Sequence, residues 1–182
     1  MSSRFNLLLV FSVLGVTLVR TTVFTVDERE YAVKFRFGEI VKSDYEPGIH
    51  FKIPFVHTIN KYPDRVLTYR ESQERFLTGE KKNLIVDYFI TWRISDPAQY
   101  FRAVRGDEQF AQQRLSAIIR EGIKAEFSRR TVVEVVSAER SAIMEQMLVQ
   151  AKQRAPELGL DVVDVRVMRI ELSDEVSDSV YA

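Results

Sequence analysis

The chain has 182 residues, with 26 lysines plus arginines against 26 aspartates plus glutamates and no cysteine at all. Zero net charge argues against a general nucleic-acid binder, which carries a basic excess. Lack of cysteine excludes disulfides, cysteine-based zinc sites and a thiol nucleophile. With 46% hydrophobic residues there is material for a real core, in one domain of ordinary size or two small subdomains.

The first feature in chain order is an uncharged run from Leu7 to Val19, bracketed by Arg4 and Arg20. It is formed by Leu7, Leu8, Leu9, Val10, Phe11, Val13, Leu14, Val16, Leu18 and Val19 with small residues between them. A spanning helix takes about 20 mainly apolar residues. Phe5 lengthens the run upstream, and Val23, Phe24 and Val26 lengthen it downstream. Arg20 can then reach the far interface along its aliphatic stem. A cleaved secretory signal and a buried soluble helix are the competing readings. Residues 19–22 (Val-Arg-Thr-Thr) offer no Ala-x-Ala-like cleavage site, which favours a retained anchor over residues 1–24. Basic residues on both flanks leave the side of the membrane open.

A β-rich stretch follows. Glu30 to Phe37 alternates Tyr31, Val33, Phe35 and Phe37 against Ala32, Lys34 and Arg36, the period of a half-buried strand ended by Gly38. Pro47-Gly48 is a turn signal, and a strand from Ile49 to Ile53 stops at Pro54. Val66 to Arg70 and Arg75 to Thr78 read as short strands. Asn83 to Ser95 is the most strongly patterned, with Val86, Tyr88, Ile90, Trp92 and Ile94 on one face. Asp96-Pro97 predicts a helix start, with a stop at Gly106. Asp107 to Arg129 predicts an amphipathic helix through Leu115, Ile118, Ile119, Gly122, Ile123 and Phe127. Thr131-x-x-Glu134 is a capping-box pattern. The next stripe is Ile143, Met147, Leu148 and Ala151, closed by Pro156 and Gly159. In Leu160 to Leu172 the apolar phase switches at Met168, which fits a bulge or a change of packing partner. Ser173 opens a last helix, too short by Ala182 to stand alone, so a continuation is expected.

Catalytic patterns are missing. G-x-S-x-G, Ser-x-x-Lys, G-x-G-x-x-G and Walker sequences do not occur. His50 and His57 lack helical ligand spacing and read as structural. Glu80, Lys81 and Lys82 read as a solvated turn. No catalytic, cofactor-binding or metal-ligating residue is expected. Phe51, Ile53, Pro54, Phe55 and Val56 form an apolar cluster that fits either a loop dipping into a membrane interface or ordinary core. The helix stripes are expected mainly as core, with Leu115, Ile119, Ile123, Phe127, Ile143 and Met147 as candidates for lateral packing between protomers.

Four blocks carry a family resemblance: Val33 to Val41 (VKFRFGEIV), Tyr45 to Val56 (YEPGIHFKIPFV), Glu80 to Phe101 (EKKNLIVDYFITWRISDPAQYF) and Leu158 to Tyr181 (LGLDVVDVRVMRIELSDEVSDSVY). In that order they resemble the stomatin/prohibitin/flotillin/HflK-HflC superfamily, the SPFH proteins, and within it the HflC branch. The resemblance implies an α+β chain: an N-terminal transmembrane helix (1–24), a strand-rich SPFH subdomain (25–95), an α/β SPFH subdomain (96–172) and the start of a C-terminal helix (173–182). It also implies a non-catalytic, single-pass protein of the bacterial inner membrane, with its SPFH domain in the periplasm. Its expected partners are membrane lipid, an HflK-like SPFH chain in a ring or cage, and the FtsH AAA+ protease, whose access to substrates it modulates. Members of the family continue into a long helix, a coiled coil and a cage-closing region. Rival readings are a stomatin-type lipid-microdomain organiser independent of FtsH, and a membrane-bound serine hydrolase.

Overall fold

The computed structural model describes residues 20–136 and 140–172; the apolar run at 7–19 and the helix expected from Ser173 lie outside them. Among the described residues, no helix is long and apolar enough to cross a membrane. The chain divides into two compact units, Met1–Arg65 and Val66–Ala182.

The first unit is all β. Strands β1 (Val23–Val26) and β4 (Gly48–Phe51) pair antiparallel, while β2 (Glu30–Arg36) lies between β3 (Glu39–Lys42) and β5 (His57–Pro63). Three of these were not legible as strands. Val23–Val26 in particular is no extension of an apolar helix: its four residues pair with Phe51, His50, Ile49 and Gly48. Tyr45, from the β3–β4 loop, links the two sheets. Its ring meets Phe24 edge-on at 5.4 Å and His50 at 4.8 Å. Lys34 and Lys42 lie 5.7 and 5.0 Å from the centre of the same ring. Ala32, Val33 and Phe35 fill this unit's core.

The second unit is built on β7 (Asn83–Ile94), the centre of the sheet β6–β7–β8, with β6 at Leu67–Leu77 and β8 at Leu160–Leu172. Its alternation works as the sequence predicts: Leu84, Val86, Tyr88, Ile90, Trp92 and Ile94 are all 0–1% exposed. Because β7 is hydrogen-bonded on both edges within this sheet, the division between units falls at Arg65/Val66 rather than at residue 95. The two short strands expected at Val66–Arg70 and Arg75–Thr78 are one strand. It is interrupted by a bulge at which Gln73 takes a φ of 60° and donates its N–H to Asp87 Oδ1 at 2.7 Å. The phase switch in β8 is also a bulge: Asp87 pairs with Arg169 and Tyr88 with Val167, so Met168 is skipped. A second bulge skips Val163.

Helix α1 (Pro97–Val104) starts where Asp96 accepts the N–H groups of Ala98 and Gln99 at 2.9 Å, with Pro97 at the first turn. Helix α2 (Glu108–Phe127) is capped in the same way by Asp107. The capping box before α3 (Val132–Val136) is reciprocal: Thr131 N–H donates to Glu134 Oε2 at 2.7 Å, and Glu134 N–H to Thr131 Oγ1 at 3.3 Å. These bonds hold the Glu134 carboxyl below the usual carboxylate range, the backbone bond contributing most. Helix α4 (Arg140–Arg154) leads through a 3-10 turn (Ala155–Leu158) to Gly159. There the φ is +72°, and a Cβ would lie 2.4 Å from Tyr100 N and 2.5 Å from Asp96 O, so only glycine fits.

Helix α2 packs on β6 and α4, and α4 on β8. This contact consumes the helix stripes. Leu115, Ile119, Ile123, Phe127, Ile143 and Met147 are each 0–2% exposed. The sheet face is wide enough to absorb both stripes, so in the folded unit these side chains serve the core and leave little surface for lateral packing. Ile123→Ala is expected to cost about 2–5 kcal/mol of folding stability by leaving a cavity, read as a lower urea midpoint at unchanged m-value.

A polar seam crosses the interface between β6, β7 and α2. Tyr69 donates to Glu71 Oε2 at 2.6 Å, and Ser116 Oγ donates to the same oxygen at 3.0 Å. Ser116 also contacts Tyr88 Oη at 3.2 Å, and Arg120 pairs with Glu74 at 2.8 Å. The bond to the Glu71 carboxylate, then burial, then that carboxylate's charge push Tyr69 from 10.0 up to about 12. Burial pushes Tyr88 and Tyr62 in the same direction. An unfolded chain releases a tyrosine proton near the ordinary value, so this stabilisation is complete below about pH 10 and is lost as pH rises toward about 12. Urea titrations across that range are expected to show stability falling with pH, and falling less steeply in Tyr69→Phe.

Candidate functional site

The short loop between β4 and β5 is the feature that brings distant segments together. Arg36, the last residue of β2, pairs with His57, the first of β5. Phe51, the last of β4, pairs with Val23, the first of β1. Hence the β2–β3 turn, the β4–β5 loop and the point where residues 20–22 enter β1 share one end of the first unit. Lys52 N–H seals the junction by donating to Thr22 O at 2.7 Å. The loop is also closed on itself: His57 N–H donates to Ile53 O at 3.0 Å, while Ile53 N–H donates to His57 Nδ1 at 3.1 Å. His50 Nε2 lies 2.7 Å from Glu46 O. Both histidines thus serve the backbone, the structural role read from their spacing.

This end is apolar and open. Exposure is 69% at Phe51, 58% at Ile53 and 98% at Phe55, with Pro54 and Val56 half-buried. The core alternative left by the sequence therefore does not hold for the three largest of these residues. Two more join them. Ile49 is 67% exposed, on the same side of β4 as Phe51. Phe37 is 84% exposed, although its place in the alternation puts it with buried Val33 and Phe35. The strand ends at Arg36, and Phe37 turns out with a φ of 51° before Gly38 at 89°. Phe55 sits at a φ of 66°. The adjacent Phe-Gly pair was the available signal: an aromatic directly before a turn glycine is a turn residue, not the last rung of a strand.

The second unit contains the serine with the most enzyme-like surroundings, Ser116, within reach of Glu71 and Tyr88. It is 2% exposed, so its hydroxyl is shut away from any substrate and its bond to Glu71 serves the core. Both histidines of the chain belong to the other unit.

Comparison with known proteins agrees with the four sequence blocks. Residues 24–182 match the SPFH domain / Band 7 family. The chain is 35% identical to Protein HflC of Haemophilus influenzae over 98% of its own length and 63% of the relative's. It is 32% identical to the Modulator of FtsH protease HflC of Escherichia coli K12, covering 88% of this chain and 62% of that one. Protein HflC of a Buchnera aphidicola strain is 34% identical over 87% of this chain. The chain thus spans a little over three fifths of the first two relatives. The Escherichia coli relative's name describes it as a modulator of a separate protease. The chain belongs to the SPFH domain / Band 7 family, and these curated relatives are HflC proteins.

Proposed function

We propose that the chain is the membrane-standing part of an HflC-like scaffold. With an HflK-like SPFH partner it forms a large ring or cage around the FtsH protease and limits which membrane proteins reach it. Residues 7–19 cross the bacterial inner membrane once, and both folded units stand on the periplasmic side. The apolar end of the first unit, with Phe37, Phe51, Ile53, Pro54, Phe55 and Val56, rests in the lipid interface.

The observation that supports this most is the location of that end. The exposed aromatics surround the point where residues 20–22 lead back to the apolar run. A bilayer holding that run would meet the aromatics without any rearrangement of the unit. Contacts between protomers would use exposed apolar residues of the helices, such as Phe110, Val133, Val136 and Val149, and not the buried stripes.

Two experiments test the reading. Affinity purification of the full-length protein from native membranes is expected to recover FtsH and an HflK-like chain. Recovery of neither, with lipid alone, would turn the reading toward a lipid-domain organiser. Removal of residues 1–19, a cut that spares β1, is expected to release the protein from alkali-washed membranes. Its residual binding to vesicles should then fall about ten-fold for each of Phe37→Ser and Phe55→Ser, the loss of one buried aromatic. Unchanged vesicle binding in both variants would remove the loop from the anchoring surface.

A further inference from the structure

Lys34 of β2 and Lys42 of β3 are directly opposed in the antiparallel register. Both ammonium groups converge on the Tyr45 ring, at 5.7 and 5.0 Å from its centre. Like charges opposed across two strands destabilise a sheet. The aromatic face offsets part of that cost. A carboxylate would offset it better, yet among the described residues neither lysine makes an ion pair, not even with Asp44 or Glu46 on either side of Tyr45. Elsewhere in the same unit the ordinary solution is used: Lys61 pairs with Glu30 at 2.9 Å. The Tyr45 phenol oxygen is buried with no hydrogen-bond partner among the protein groups. The pair is thus a concentrated positive charge that an anionic group would neutralise.

Its position identifies the anion. Lys34 is three residues before Phe37, so it lies about 10 Å behind the aromatic tip at the rise of an extended strand. Aromatic tips seated in the interface are buried about 5–10 Å, which brings a group that far behind them to the level of the lipid phosphates. Arg20, Arg36 and Lys52 belong to the same end, against the single acid Glu39 paired in register with Arg36. We infer that Lys34 and Lys42 bind the phosphate of an anionic phospholipid beside the apolar tip, giving the docked domain a preference for acidic lipid. This rests on the membrane-docking reading above and adds a ligand class and two ligand residues to it.

The chain has no cysteine, so Thr58→Cys, an exposed position near the start of β5 and outside the docking residues, gives a single labelling site for an environment-sensitive fluorophore. The labelled full-length protein is placed in vesicles of equal parts phosphatidylcholine and phosphatidylglycerol. A nitroxide quencher is carried on the acyl chain of one lipid or the other. Quenching is expected to be about two-fold stronger or more when the nitroxide is on phosphatidylglycerol. Lys34→Gln with Lys42→Gln is expected to equalise the two lipids while leaving total quenching and the circular dichroism spectrum intact. Lys34→Arg with Lys42→Arg should retain the preference, and Lys61→Gln should leave it unchanged. Equal quenching by both lipids in the parent protein would overturn the phosphate site and leave docking standing. No quenching by either would overturn docking itself. Loss of the preference on adding a few millimolar inorganic phosphate would assign the pair to a soluble anion instead, and overturn the lipid assignment.

Discussion

The first unit depends on one constraint: the residues joining β4 to β5 are few, and both flanking strands are already paired. Val23 is fixed opposite Phe51 and Arg36 opposite His57. With those pairs in place, the chain's entry into β1, the turn after β2 and the loop from Lys52 to Val56 have no freedom to separate. Sheet register alone gathers segments that are 30 residues apart in the case of Val23 and Ile53. The aromatic character of the gathered end is then a matter of which residues occupy it.

Those residues are costly where they stand. A left-handed backbone costs a non-glycine residue about 1–2 kcal/mol, and Phe37 and Phe55 both adopt it. Each then presents its ring to solvent, forgoing the 1.5–3 kcal/mol, roughly, that burial would return. Glycine would avoid both costs at once, and Asn or Asp would reduce them. Two such positions at one end of one unit, beside exposed Ile49, Phe51 and Ile53, form a surface whose favourable term lies outside the folded chain. Under the proposed function, a bilayer holding the preceding apolar run would supply that term without a second partner.

Legibility in the sequence followed the strength of periodicity. The strand carrying Trp92, the helix at Pro97, the long helix after Asp107, the capping box at Thr131 and the phase switch at Met168 could all be read, because each rests on local spacing or a local cap. β1, β3 and β5 could not. They are four to seven residues long, and β1 is as apolar as the run before it, so only its pairing with β4 distinguishes strand from span. The unit boundary failed for a related reason. A strand long enough to need two neighbours belongs with whichever strands pair with it, and β8 lies some 70 residues later. Phe51, Ile53 and Phe55 were legible as a cluster but not as a surface, since exposure is not encoded in hydropathy. Phe37 was missed because period-two counting runs on past the real end of β2. The helix stripes were read correctly as apolar faces, and with α2 and α4 packed against the sheet and each other they leave little surface for lateral packing.

The second unit shows how this chain treats apolar surface it does not intend to use. The open face of its sheet carries Phe89, but in register between Arg70 and Arg166, with ion pairs Arg93–Asp161 at 3.0 Å, Arg166–Asp164 at 2.7 Å and Arg169–Glu171 at 2.9 Å around it. Exposed pairs of this kind add at most about 1 kcal/mol each. Their effect is to keep the face hydrated. β8, an edge of this sheet, is broken by two bulges, and β6, the other edge, by one, a standard obstacle to unwanted strand addition. The same sequence that screens Phe89 with arginines leaves Phe55 almost wholly bare. Neglect would have left both unscreened, and a general tolerance of exposed aromatics would have left the sheet edges regular. Protection around Phe89 on the second unit's sheet, set against exposure at the apolar end of the first unit, argues that this bare end is kept for a contact, and its chemistry fits lipid better than water.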